Sequence, residues 1–183
     1  MSTSPAFKEW HVIVEALGAG EQILIIRKGG IAEGQGGFQM KAEKFWLFPT
    51  RFHEQLARTK PAAEKFFDHL PPDTGQVELH YFAEVARQAF LSDWAVVAAL
   101  DPFHLWSEAT VRERFDWARP PGLHAFAVRV HRLNKAVPLE VTPAMAGCKS
   151  WVDLPLDFAT QASEPVLGEE DFSRRLAEIG FPA

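Results

Sequence analysis

Two stretches of the chain alternate between apolar and polar residues in the manner of a β-strand with one buried face. In residues 76–83, the apolar side chains of Val77 and Leu79 alternate with polar ones, and residues 122–132 repeat the pattern. Residues 22–28 and 43–48 are apolar runs typical of more deeply buried strands, and residues 148–153 form a fifth run of this kind. The hydrophobic pattern therefore predicts five strands.

A spacing of three and four residues between apolar positions predicts a helix over residues 5–17. The β-branched stretch 11–14 favours a strand as the competing interpretation. Further helices are predicted over 52–70, interrupted near Lys60-Pro61, over 93–100, after the N-cap residue Ser107, and over 169–179.

The connections between these elements argue against a doubly wound parallel sheet, because residues 29–37 and 71–75 are too short and too rich in turn residues to hold a crossover helix. We therefore expect an α+β fold in a single domain, with a mostly antiparallel curved sheet or partial β-barrel and peripheral helices. Strands 22–28 and 43–48 are expected to form a hairpin. Residues 1–155 are expected to make the domain, and residues 156–183 an acidic C-terminal extension with a short helix.

The composition of the 183 residues, 47% hydrophobic and 23% charged, is that of a soluble globular protein. No apolar run approaches the ~18 residues that a membrane span needs, and the N-terminus lacks the pattern of a signal peptide. A single cysteine, Cys148, excludes an internal disulfide and a cysteine-based zinc cluster. A cytoplasmic location is expected, whereas the oligomeric state is left open.

Charge is distributed unevenly along the chain. From Asp153 onward, seven acidic and two basic residues account for the whole net charge of −5, so the remainder of the chain is neutral. Within that remainder, residues 111–135 carry six basic and two acidic side chains. This asymmetry permits an anionic partner on one face, although a solvated surface explains it equally well.

No complete catalytic signature is present. The glycines at 29–30 and 36–37 fit neither a phosphate loop nor a dinucleotide fingerprint, and no nucleophile elbow surrounds a serine. Glu78 and His80 share a strand face and, with His53, have the chemistry of a small hydrolase or metal-dependent nuclease. A restriction-type nuclease, however, would carry lysine where His80 stands. The catalytic residues are therefore unknown, and no cofactor or metal is assigned.

Polar and aromatic side chains gather at the ends of the predicted elements, and these are the ingredients for stacking a base and neutralising a phosphate. The candidate ligand-binding residues are Arg27, Lys28, Thr50, Arg51, His53, His104, Trp106, Lys149, Ser150 and Trp151. The cations, Thr50 and His53 are expected to converge in one cleft, with Trp106 or Trp151 in its wall. If the sheet separates the two strand ends, we expect the site at Thr50, Arg51 and His53, joined by Lys149 and Ser150. Arg27 and Lys28 would then lie on a solvated shoulder.

Six separated motifs resemble a bacterial family known as domain of unknown function 1802, over roughly residues 7 to 155. The motifs are Glu15-Ala-Leu-Gly-x-Gly-Glu21-Gln-Ile-Leu, Arg27-Lys-Gly-Gly-Ile31, Phe45-Trp-Leu-Phe-Pro-Thr50, Pro102-Phe-His104-x-Trp106-Ser107, Arg114-Phe115 and Gly147-Cys-Lys-Ser-Trp-Val152. The resemblance implies no known activity, but some members occur with restriction-endonuclease-like domains. The order of strands is also similar, at the level of the fold, to the PUA-like barrels. These resemblances imply a nucleic-acid-binding module that acts with a restriction, defence or nucleic-acid-processing partner, such as a nuclease; the small hydrolase or nuclease is the alternative.

Overall fold

The computed structural model describes residues 3–28, 40–51, 55–67, 75–117, 120–147 and 149–181. Within these ranges the strands are β1 (Ser4–Trp10), β2 (Leu24–Arg27), β3 (Lys44–Thr50), β4 (Gln76–Leu91), β5 (Leu123–Glu140), β6 (Trp151–Leu154) and β7 (Ser163–Pro165). The α-helices are α1 (His11–Gly18), α2 (Gln55–Arg58), α3 (Trp94–Ala98), α4 (Glu108–Asp116) and α5 (Glu169–Ile179). Short 3₁₀ helices include Pro61–Phe66 and Pro143–Met145.

The described strands form one sheet in the order β2-β5-β4-β3-β1-β6, with β7 on β5. All neighbours are antiparallel except β1 and β3. The long pair β4–β5 shifts register between Leu79 and Tyr81 and again between Val85 and Arg87. Such irregularities bend a strand and increase its twist.

The sheet is strongly curved, because residues from distant strands meet on its concave face. Phe7 of β1 lies 5.7 Å, ring centre to ring centre, from Phe126 of β5, although two strands separate them in the sheet. Phe7 also contacts Phe45 and Trp151, so β1, β3, β5 and β6 share one aromatic cluster. The expected α+β domain with a mostly antiparallel, curved sheet is confirmed.

The expected hairpin between residues 22–28 and 43–48 is wrong. Strand β2 pairs with β5, while β3 lies between β1 and β4. An apolar run shows that a strand is buried on both faces, but it does not encode which neighbour its backbone binds. Residues 29–37, the glycine-rich loop expected to close this hairpin, lie outside the described residues.

The helix predicted over residues 5–17 is correct only in its second half. Residues Ser4–Trp10 are a strand held between β3 and β6, and the helix begins at His11. The backbone hydrogen bonds of these two neighbours override the helical spacing of Phe7 and Trp10. The β-branched stretch 11–14, the competing strand, is helical because its side chains pack into the core as one turn of α1.

The C-terminal part of the chain packs against the rest of the fold. Helix α5 has the predicted bounds, and its Phe172 and Ile179 are buried in the main core. Strand β7 extends the sheet beside β5. A domain boundary at residue 155 stays a prediction. No helix in the described ranges is long and apolar enough to cross a membrane.

Candidate functional site

The two edges of the curved sheet approach each other at Arg27, the last residue of β2. Its guanidinium donates to the Ser150 hydroxyl from Nε (3.3 Å) and Nη2 (3.2 Å), and to the Lys8 carbonyl from Nη2 (3.3 Å). Ser150 is buried and directly precedes β6. Arg27 therefore joins β2 to β1 and β6, and its own side chain is only 19% exposed.

A buried carboxylate lies beside this guanidinium. Glu9 of β1 is fully buried, and its Oε1 accepts from the Trp10 backbone N–H at 2.7 Å. Its Oε2 is 3.7 Å from Arg27 Nη1 and has no hydrogen-bond partner among the described residues. A buried carboxylate is tolerated only when positive charge compensates it, so Glu9 depends on the guanidinium groups around it.

A second guanidinium near Glu9 belongs to Arg114 of helix α4. Its Nη1 donates to the Ile26 carbonyl at 3.0 Å, and its Cζ lies 5.0 Å from the Trp10 ring centre and 4.9 Å from that of Trp106. Burial lowers the pKa of Arg114 to about 10, and the Glu9 carboxylate limits the decrease. Arg114 therefore remains charged at neutral pH and attaches α4 to the end of β2.

A third cation and an exposed aromatic ring complete this end of the sheet. The Lys28 ammonium lies 3.5 Å from the centre of the Trp117 ring, and Trp117 is 62% exposed. Burial lowers the pKa of Lys28 to about 8, although the Glu113 carboxylate opposes this change. Glu113 in turn forms a 2.7 Å ion pair with Arg58 of α2.

We call Arg27, Lys28, Arg58 and Arg114 the cationic cluster. Arg27 lies beside Glu9, Arg58 pairs with Glu113, and Arg114 bonds the Ile26 carbonyl next to Arg27, so these charges lie at one end of the sheet. Four cations against two carboxylates leave this end of the sheet with a net positive charge. Because α2, α4 and β2 fix the side chains through directed contacts, the cluster could accept an anion with little loss of side-chain entropy.

A pocket of about 220 Å³ lies on the other side of β1. Lys8 and His11 line it together with Thr50, Arg51 and apolar residues of β3 and the segments around β4 and β5. The Lys8 ammonium donates to the carbonyls of Met145 and Gly147, each at 2.8 Å. The Thr50 hydroxyl donates to the Glu9 carbonyl at 2.9 Å, so one stretch of β1 connects the pocket to the cationic cluster.

The structure thus separates the predicted site residues from one another. Arg27, Lys28 and Ser150 lie at the cationic cluster, Thr50 and Arg51 lie at the pocket, and Lys149 is exposed beside Ser150. The expectation of a solvated shoulder does not hold for Arg27, because its hydrogen bonds to Ser150 and Lys8 fix it between strands. His53 lies outside the described residues.

Two aromatic residues predicted to form part of the site are buried in the protein interior. Trp106 is fully buried, and Trp151 is 6% exposed with its ring 5.1 Å from that of Phe7. Neither ring is accessible to a ligand in this structure. Trp106 still contributes indirectly, because its face supports Arg114.

His104, also predicted to bind a ligand, is a buried imidazole. It is 3% exposed, and its Nδ1 has no hydrogen-bond partner in the described part of the chain. The pKa of His104 is lowered to about 4, mainly by burial; the charges of Lys60 and Arg114 contribute to the decrease, and Asp101 opposes it. His104 is therefore neutral at physiological pH.

Because the pKa of His104 is lowered in the folded protein, the stability of the protein should depend on pH. A histidine in the unfolded chain titrates near ~6.5, so between pH ~6.5 and ~4 the unfolded state binds more protons than the folded state. The stabilisation is complete above pH ~6.5 and is lost as the pH falls. We expect the free energy of unfolding to decrease by about 2 kcal/mol between pH 7 and pH 5, measured by urea denaturation.

Replacement of His104 with asparagine should reduce this pH dependence. Part of the slope should persist, because desolvation also lowers the pKa of the half-buried His131. The matched control is His80→Asn, which removes an imidazole that is 45% exposed. An unchanged pH slope in the His104→Asn protein would show that other groups cause the effect.

Sequence reasoning missed several residues of this site, among them Lys8, Glu9 and Arg114. The helix predicted over residues 5–17 included Lys8 and Glu9. The available signal was that these two charged residues stand together in an otherwise apolar stretch. In the sequence, Arg114 stands out only as part of a motif. Its neighbours in the sequence do not reveal that it reaches the end of β2.

Two residues of the alternative enzyme hypothesis, Glu78 and His80, are described by the structure. Glu78 and His80 are on β4, with His80 Nε2 3.4 Å from Glu78 Oε2, and both side chains are largely exposed. Within the described ranges, no group of three or more His, Cys, Asp and Glu residues is arranged to hold a metal ion.

The fold and the site define a curved-sheet α+β domain with a cationic cluster where the edges of the sheet approach. Residues 6–178 match the family model for a domain of unknown function (DUF1802), and the chain belongs to this family. The fold is similar to the crystal structure of a mutant form of the ZmASCH protein from Zymomonas mobilis, with a TM-score of 0.52 and 12% identity over 96% of this chain and 94% of that chain. At this identity the likeness shows the fold alone. A comparison with curated proteins found no match.

Proposed function

We propose that this protein is a nucleic-acid-binding module whose ligand contacts the cationic cluster. The observation that carries the proposal is the positive charge around Arg27 and Arg114, in a chain whose net charge is −5. A protein of negative net charge that concentrates cations at one end of a sheet has a local field suited to a polyanion.

The chemistry of the cluster fits phosphate better than an isolated carboxylate. Arginine and lysine contact phosphate oxygens through charge-assisted hydrogen bonds, and several cations in one place match a repeating anion. The ion pair between Arg58 and Glu113 partly neutralises one side. Lys28, whose ammonium is 3.5 Å from an exposed ring, lies where a backbone phosphate would approach.

A partner enzyme is part of the same proposal. It rests on the sequence resemblance, which implies that some family members occur with restriction-endonuclease-like domains; such a partner enzyme would carry out the cleavage or processing reaction. A PUA-like relationship, nucleic-acid binding in a cytoplasmic setting and the partner nuclease all stay predictions. The likeness in fold to ZmASCH is compatible with them.

The binding of labelled DNA and RNA oligonucleotides to the protein can be measured by fluorescence anisotropy at several salt concentrations. We expect affinity to fall linearly on a log–log plot as salt increases, because phosphate contacts release counterions. Lys28→Ala should weaken binding by about 1–3 kcal/mol and reduce the magnitude of the slope by about 0.7–0.9. Lys135→Ala, at an exposed lysine on β5, is the matched control and should leave both quantities unchanged.

Two results would contradict the proposal. One is the absence of salt-dependent binding to any DNA or RNA. The other is an equal loss of affinity in Lys28→Ala and Lys135→Ala, which would indicate attraction without a site. The Glu78→Gln variant distinguishes the hydrolase alternative from the binding module. If the Glu78 carboxylate is catalytic, this variant should lose hydrolytic activity without a change in ligand affinity.

A further inference from the structure

Trp117 differs from the other tryptophans in its exposure to solvent. Its side chain is 62% exposed, whereas Trp46 and Trp106 are fully buried and Trp151 is 6% exposed. The cost of leaving a large ring in water is considerable, because a buried tryptophan contributes strongly to a core. A single exposed ring is common on protein surfaces, so its immediate neighbours decide what it could bind.

The structure places this ring beside a cation. Trp117 follows α4 directly, one turn after Glu113, and the Lys28 ammonium lies 3.5 Å from its centre. Lys28 follows the last residue of β2. Because Arg114 bonds the Ile26 carbonyl, α4 and β2 are held together two residues before Lys28 and three residues before Trp117. The ring and the ammonium are thus positioned by the fold and require no ligand to bring them together.

The ring also remains available while Lys28 is in place. An ammonium covers one face, and an exposure of 62% leaves much of the remaining ring surface in contact with solvent. Partial burial lowers the pKa of Lys28 to about 8, so the ammonium is incompletely hydrated. A phosphate oxygen would replace part of the hydration that the Lys28 ammonium has lost.

An aromatic ring next to a cation matches one unit of a nucleic acid strand, namely a base and its phosphate. Tryptophan stacks on any base because every base has a π-face, and the contact is sequence-tolerant. In a duplex, however, the neighbouring base pairs already cover both faces of each internal base. The ring therefore favours an unpaired base over a paired one.

We propose that Trp117 and Lys28 form a stacking site for an unpaired base and its phosphate, so that the ligand of the cationic cluster is single-stranded nucleic acid. This inference rests on the proposed function and adds the class of ligand to it. Trp117 thereby takes the stacking role that the sequence assigned to Trp106 and Trp151, whose rings are buried.

The test compares three probes of one sequence: a labelled single strand, its duplex, and a single strand in which internal bases are replaced by abasic sites. The variants are Trp117→Phe, which keeps an aromatic face, and Trp117→Leu, which keeps an apolar side chain without one. We expect the wild type to prefer the single strand to both other probes. Trp117→Leu should lose roughly 10- to 100-fold in affinity for it, and Trp117→Phe much less.

Because Trp117 is exposed, both variants should fold, and their circular dichroism and thermal unfolding are measured first. The salt slope should be the same in wild type and Trp117→Leu, since stacking releases no counterions. Equal affinity for the duplex or the abasic strand would overturn the stacking site but leave the proposed function intact, as would a Trp117→Leu protein that binds like wild type. If no nucleic acid binds, both the inference and the proposed function fail.

Discussion

Replacement of Phe7 with alanine is expected to lower the free energy of unfolding by about 3–5 kcal/mol. Phe7 is fully buried, and its ring centre lies 5.5 Å from Phe45, 5.7 Å from Phe126 and 5.1 Å from Trp151. Three other strands therefore meet on this one side chain. Alanine would leave a cavity between rings that the surrounding sheet cannot easily fill, and urea denaturation at neutral pH measures the loss.

The matched control is Phe90→Ala, the same chemical change at a ring that is 52% exposed on β4. We expect it to cost no more than about 1 kcal/mol, the range of strand propensity. Phe7→Leu should cost less than Phe7→Ala because it leaves a smaller cavity. Similar costs for Phe7→Ala and Phe90→Ala would mean that the aromatic cluster does not hold the curved sheet together.

The sequence was informative about elements and less so about their neighbours. Residues 76–83 and 122–132 alternate because one side of each strand faces a core, and they lie within the long strands β4 and β5. Helix α5 has the predicted bounds, and an acidic first turn and a C-terminal glycine mark its ends in the structure. The partner of β2 could not be predicted, because pairing with β5 is decided by contacts distant in the sequence.

The error over residues 5–17 has a specific cause. Ser4–Trp10 is buried on both faces as an inner strand, so no alternation distinguishes it from a helix. Pro5, which would suit the first turn of a helix, is instead part of a strand that pairs with β6. No glycine or proline separates β1 from α1, and the boundary at His11 could not be identified from local signals.

Prediction of the site was limited by the side chains rather than by the strands. Arg27 and Lys28 were recognised because they follow an apolar strand, and β2 does end there. Which tryptophan is exposed depends on packing: Trp106 is covered, whereas Trp117 lies just beyond the helix that carries Arg114. Residue type therefore predicted the chemistry of this end of the sheet but not which ring meets solvent.

Arg114 connects the stability of this end of the sheet to its charge. Its guanidinium bonds the Ile26 carbonyl, packs on Trp10 and Trp106, and lies near the buried Glu9. The same side chain thus holds α4 against β2 and, together with Arg27, compensates the charge of the buried Glu9 carboxylate. Loss of either role should affect both folding and ligand affinity, since Lys28 and Trp117 approach each other across the same junction.

Arg114→Met is accordingly expected to lower the free energy of unfolding by about 2–4 kcal/mol. Methionine retains apolar contact with the two indoles, so the loss reports the hydrogen bond to Ile26 and the charge near Glu9. Arg114→Lys keeps the charge but lacks the planar guanidinium that contacts both rings, and it should recover only part of the stability. Oligonucleotide affinity should fall in both variants if α4 and β2 separate.

A double-mutant cycle with Glu9→Gln isolates the electrostatic part of this loss. In the wild-type background, removal of the Glu9 charge leaves Arg27 and Arg114 without a buried anion and should be destabilising. In the Arg114→Met background the carboxylate is poorly compensated, so its removal should cost less or even stabilise the fold. We expect a coupling energy of about 1 kcal/mol or more from urea denaturation of the four proteins. Additive effects within about 0.5 kcal/mol would show that Glu9 and Arg114 act independently, and that Arg27 alone compensates the carboxylate.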